Sequence, residues 1–118
     1  MNFKYFLNEA SKTAVQPKTK DELKKIIEDT IKEQGFKCDI NFIDTSKITD
    51  MSFLFYDTKF NGDISKWNVS NVKYMFSMFY DSEFNGDISK WDVSNVENMD
   101  GMFKHSPLEG NEPDWYKD

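Results

Sequence analysis

A thiol and an imidazole, the side chains most readily turned to nucleophilic or neutral-pH acid–base chemistry, occur once each in this sequence: Cys38, the one cysteine, and His105, the one histidine. A catalytic thiol needs a base or cation beside it to become a thiolate, and a catalytic imidazole needs a partner to fix its tautomer. Neither residue has such a partner at a recognisable spacing. Cys38 falls 24 and 48 residues before Gly62 and Gly86, which reads as a small residue in a turn. His105 follows Asp57 and Asp81 at the same interval, again a turn position. Nothing resembles a phosphate-cradling Gly-rich loop or a zinc-ligand spacing. Asp39, Asp63 and Asp87 recur and raise the question of calcium. The ligand-dense run of an EF-hand loop is missing, so these carboxylates read as caps for turn N–H groups. The expectation is a protein that is not an enzyme, with no cofactor and no metal.

What remains is recognition by surface, and that depends on what positions the side chains. The octet FNGDISKW occurs at 60–67 and again, unchanged, at 84–91. Carried along the chain, the 24-residue step aligns Phe36, Phe60, Phe84 and Leu108; Ile40, Ile64 and Ile88; Ile43, Trp67, Trp91 and Trp115; Met51, Met75 and Met99; and Phe55, Phe79 and Phe103. A unit this short cannot bury its own apolar face, but stacking the next unit on it can. In the middle unit Phe60, Ile64, Trp67, Val69, Val72, Met75, Met78 and Phe79 are the inward set. The Trp column could instead stack sugars, but its regular period suits core packing better.

Within a unit, Ser70 reads as an N-cap and 71–79 as a short helix, since Val72, Met75, Met78 and Phe79 share helical spacing. Residues 63–66 read as a brief strand after the turn signal Asn61-Gly62. At the front, Thr19-Lys20-Asp21-Glu22 is a capping-box pattern, and Leu23, Ile26, Ile27 and Ile31 predict an amphipathic helix over 20–34 that stops at Gly35. Phe3, Phe6 and Leu7 share a face, so residues 1–16 read as either an arm or a further short helix. At the back, Glu112 and Pro113 replace Ile and Ser, changes that discourage further strand pairing. The fold expected is therefore an α/β repeat: a short leucine-rich-repeat-like solenoid with an N-terminal capping helix. Residues 1–35 form the arm and cap, coils span 36–59, 60–83 and 84–107, and a partial coil at 108–118 closes one domain.

The stretch DISKWDVSNV, followed by NM and MF, resembles the repeat of the BspA-like leucine-rich repeat surface proteins, including the Mycoplasma-type lipoprotein repeat of unknown function. The resemblance covers roughly residues 36–115. It implies a right-handed leucine-rich-repeat-like solenoid and a role in binding or adhesion, and it supplies no catalytic residues.

In such an array, function falls on columns that the packing does not dictate. Phe76 stands where the other units have Ser52 and Asp100, and Phe53 where they have Ser77 and Gly101. With Tyr56 and Tyr80 they predict an aromatic patch for a protein partner, with Tyr74 toward the other flank. The competing expectation is that these rings pack beneath the front helix or residues 1–16. The face bearing Asn41, Ser65, Ser89, Phe42, Lys66 and Lys90 is a second candidate surface.

The net charge of −6 argues against direct nucleic-acid binding, which needs clustered Lys and Arg. No segment approaches the roughly 20 apolar residues of a membrane span. The N-terminus, MNFKYFLNEASK, is a poor signal peptide, and a single Cys makes no disulfide framework, so a cytoplasmic setting is expected. A protein–protein interaction module follows, such as an intracellular inhibitor or adaptor, for example a phage or mobile-element protein that blocks a host defence enzyme. The alternatives are a secreted or surface-attached adhesin module, given a leader removed beforehand, and an acidic nucleic-acid mimic. The sequence leaves the oligomeric state open.

Overall fold

Residues 18–22 dictate the first element. Thr19, in extended backbone, caps a helix by accepting the N–H of Glu22 on its hydroxyl at 3.2 Å. The Glu22 carboxylate reaches back to accept the N–H of Lys18, the residue before the cap, at 2.8 Å, so the Thr19 hydroxyl satisfies one donor of the helix start and Glu22 fixes the chain entering it. The helix α1 runs Lys20–Gln34, with acidic residues in its first turn, where its dipole favours them. Gly35, at φ 88, ends it and returns its N–H to Ile31 O at 2.7 Å. One face buries Leu23, Ile26, Ile27 and Thr30, and the Thr30 hydroxyl is satisfied by Ile26 O.

A computed structural model describes residues 15–117, and everything after α1 is built from turns. Two backbone devices recur. In the first, an Asp or Asn accepts the N–H two residues on: Asp39 from Asn41, Asp63 from Ser65, Asp87 from Ser89, Asp44 from Ser46, Asn68 from Ser70, Asp92 from Ser94. In the second, residues at 53, 77, 101 and at 57, 81, 105 hold positive φ. Each device turns the chain before a helix or strand can extend.

Positions 24 apart nevertheless lie against each other. Single parallel bridges join Asp39 to Asp63, Asp50 to Tyr74 and Tyr74 to Asn98. The N–H groups of Met51, Phe53, Phe55 and Asp57 donate to the carbonyls of Tyr74, Phe76, Met78 and Tyr80. Those of Met75, Ser77, Phe79 and Asp81 donate in turn to Asn98, Asp100, Met102 and Lys104. Phe55, Phe79 and Phe103 stack face to face at 5.5 and 5.7 Å, and Phe60 on Phe84 at 6.3 Å. The three Trp rings each donate Nε1–H to a carbonyl of the preceding segment: Trp67 to Ile40, Trp91 to Ile64, Trp115 to Ile88. Trp67 and Trp91 are buried, as core residues. Gly62 is required by this approach, because a Cβ there would collide with Cys38 O.

The α/β leucine-rich-repeat-like solenoid expected from the sequence is not what the chain forms. Among the described residues there is one helix, no strand longer than an isolated bridge, and no sheet. The radius of gyration, 13.8 Å, is that of a compact globule, for which a chain of this length scales to about 13.5 Å. The helix expected over 71–79 is absent: Tyr74 runs alongside Asp50 and Asn98 in parallel bridges, and Ser77, at φ 53, turns the chain again before the end of that stretch. The strand expected over 63–66 is reduced to the single bridge at Asp63, whose carboxylate folds the chain back on Ser65. Phe36, expected inward, is exposed. The Phe3, Phe6 and Leu7 reading lies outside the described residues.

Candidate functional site

Consider first the groups with chemical potential. Cys38 is buried, and that burial pushes its thiol up, away from the reactive thiolate. His105 is exposed, with Nδ1 3.1 Å from Asp81 Oδ1 and its ring 5.5 Å from that of Tyr80. Among the described residues, no group of His, Cys, Asp or Glu side chains could hold a metal ion. The Asp carboxylates of the turns are held below their usual range by the donors they cap. The Asn41 side chain, then the Ser65 N–H and hydroxyl, bring Asp63 to about 2. Asp44, Asp87 and Asp92 are lowered by the Ser two residues on. For Asp50, burial pushes upward, but Ser52 and Lys20 outweigh it.

The structure brings together all five aromatic residues singled out from the sequence. The Phe53 ring meets Tyr56 edge-on at 5.7 Å and Phe76 edge-on at 5.6 Å. Tyr74 packs against Phe76 at 6.4 Å, and Tyr56 against Tyr80 at 5.8 Å. Tyr74 therefore belongs to the same patch and not to the opposite flank. Phe53, Tyr56 and Tyr74 are exposed, while Phe76 and Tyr80 are half-buried. The exposure of Phe53, Tyr56 and Tyr74 goes against the expectation that these rings are packed away beneath α1, and the part of that expectation resting on residues 1–14 lies outside the described residues. The helix reaches the border of the patch, where Lys20 Nζ contacts Asp50 Oδ2 at 3.3 Å and Ser52 O and Oγ at 3.1 Å.

Local geometry shows how little the fold asks for these rings. Phe53 sits at φ 60, in the left-handed region that crowds a Cβ, at the position where Gly101 stands two segments on. It is held there by its own N–H to Phe76 O and by the Tyr56 N–H on its carbonyl. Tyr74 occupies the place of Asp50 and Asn98, which cap the N–H of Ser52 and Asp100 through side-chain oxygens. A Tyr ring has no acceptor that reaches back so far. Phe76 replaces Ser52, which is buried and hydrogen-bonded to Asp50. Three aromatic residues thus stand where the backbone is better served by Gly, Asp or Asn, and Ser.

Sequence reasoning missed His105 and Lys20 as neighbours of the patch. The signal for His105 was its place one residue beyond the column of Tyr56 and Tyr80. For Lys20 there was none, because its contact depends on how α1 docks.

No helix among the described residues is long and apolar enough to cross a membrane. Comparison with curated proteins and with solved structures finds no match. A family model described as a Mycoplasma protein of unknown function, DUF285, matches residues 22–115. That agrees with the Mycoplasma-type side of the resemblance noted in the sequence and does not reach the BspA-like leucine-rich repeat. Because the match takes in most of the chain, the protein belongs to this family.

Proposed function

We propose that this protein is a non-enzymatic binding module that engages a protein partner through Phe53, Tyr56, Tyr74, Phe76 and Tyr80, acting as a small intracellular inhibitor or adaptor. The observation that carries the reading is Phe53: the residue is 47% exposed, a large apolar side chain at a turn position that Ser77 and Gly101 fill in the other segments. Adjoining Tyr rings add rigid contact area with few rotatable bonds, the composition that interface anchors favour. The likeness of its DISKWDVSNV stretch to BspA-like surface proteins also supports binding over chemistry. The acidic balance suits a partner with a basic rim around an apolar centre.

The test is the double variant Phe53→Ser plus Phe76→Ser, which installs the residue types found at the equivalent positions 77 and 52. Wild type and variant are used as bait in the source cell, with circular dichroism as the folding control. The expected result is a partner captured by the wild type and lost by an equally folded variant. Undiminished capture, or an unfolded variant, would show the rings to be structural or idle. Capture that persists as salt rises fits an aromatic anchor, whereas an acidic nucleic-acid mimic would lose its partner.

A further inference from the structure

A second surface lies at the far edge, independent of the aromatic patch. In the middle segment Val69, Val72 and Met75 are 2%, 0% and 0% exposed. Their equivalents Val93, Val96 and Met99 are only partly buried. The last residues cover part of this edge: Trp115 stacks on Trp91 at 6.3 Å and Tyr116 meets Phe103 at 5.0 Å. Between that cover and the Val93–Asp100 arc runs a groove of about 680 Å³, also lined by Trp115 and Lys117.

The hydrogen bonding is open on the same arc. At 51, 53, 55 and at 75, 77, 79 every N–H is taken by a carbonyl of the next segment. Among the described residues, the corresponding N–H groups of Met99, Gly101 and Phe103 meet no acceptor. Of these, Met99 and Gly101 are partly exposed and present their donors beside the apolar shelf, whereas Phe103 is buried and the next N–H of the series, that of His105, is taken by the Glu109 carboxylate at 3.1 Å. A second copy of this chain does not fit it. A two-fold pairing would set donors against donors. A head-to-tail pairing would need the carbonyl edge near Asp50 and Ser52, where Lys20 of α1 already sits on Ser52 O. The charge also selects. Relative to the middle segment, Asn68 becomes Asp92, Lys73 becomes Glu97 and Phe76 becomes Asp100, so this arc is the more acidic.

We infer that the 93–101 arc is a docking edge for an extended, basic segment of a partner protein, whose carbonyls accept from Met99 and Gly101 and whose apolar side chains cover Val93, Val96 and Met99. Edge addition of this kind draws affinity from main-chain bonds and specificity from pockets for alternate side chains.

The test selects a random dodecapeptide library on the full-length protein, then follows amide hydrogen exchange with the selected peptides bound. The account expects peptides rich in Val or Ile and in Lys or Arg. They should bind at least about tenfold more weakly to Glu97→Lys, an exposed position where the middle segment itself carries Lys, and to Val96→Asp. Binding should be unchanged by Phe53→Ser. The amides of Met99 and Gly101 should exchange fast in the free protein and slow on binding. The inference is overturned if no selected peptide discriminates these variants, or if the bound peptides leave those amides fast. It is equally overturned if the amides are already slow in the free protein, or slow only as protein concentration rises, since another part of the chain or a second copy would then cover the edge.

Discussion

Ile48 and Met51, at the edge nearest α1, are as deeply buried as Val72 and Met75 in the middle of the molecule, whereas Val96 and Met99 at the far edge are not. The residue types are closely matched, so the difference lies in what covers them. A 24-residue segment made of turns has no second layer of its own. Near α1, Leu23, Ile26 and Ile27 supply that layer and Lys20 occupies a carbonyl. At the far edge Trp115 and Tyr116 supply only part of it. Apolar pattern therefore decides which residues want burial, while neighbouring cover decides which of them achieve it.

Substitutions at matched positions can break this comparison. The largest effect is expected at Trp91, which is buried on a ladder of rings and bonded to Ile64 O. Trp91→Ala should cost about 3–5 kcal/mol by denaturant unfolding, and Trp115→Ala at the partly covered edge clearly less. Equal costs would mean that the far edge is as well packed as the centre. Met51→Ala should cost about 2–5 kcal/mol, and Met99→Ala less than half as much, because a side chain already in contact with water loses less on truncation. A reversed order would put the cover at the wrong end.

Acid sharpens the comparison of turns. The folded Asp63 carboxyl titrates at about 2, below its ordinary 3.8. A depressed carboxylate stabilises the fold above the unfolded value and loses that contribution as pH falls through the folded one. Thermal midpoints should thus decline as pH is lowered from about 4 to about 2, and Asp63→Asn should flatten that decline. Asp44, Asp50, Asp87 and Asp92 are shifted the same way and add to the slope. A slope unchanged in Asp63→Asn would show that its turn contributes nothing.

The contacts of this protein were more legible in the sequence than its backbone. Phe60 lies on Phe84 and Trp67, Trp91 and Trp115 share one bonding pattern, as equal spacing suggested. The boundaries of α1 were readable because Thr19 and Gly35 are strong local signals. What failed was the inference from spacing to regular structure. Val72, Met75, Met78 and Phe79 do all point inward, but they do so on consecutive turns, with Ser77 in the left-handed region. Ser does not advertise positive φ as Gly does, and only Gly101 at the equivalent position hinted at it. The aromatic patch was legible as a departure from the columns. That Tyr74 joins it was not, because a helix over 71–79 would have turned it away.

Phe53→Gly tests the central claim most directly, since it separates what the backbone prefers from what the surface displays. Gly adopts φ 60 freely, as it does at Gly101, so the account predicts a gain in stability of up to about 1 kcal/mol, read as a raised denaturant midpoint at unchanged slope, together with weaker capture of the partner. A variant that unfolds more easily than the wild type would contradict it, because the Phe53 ring would then be holding the fold together and not waiting for a partner.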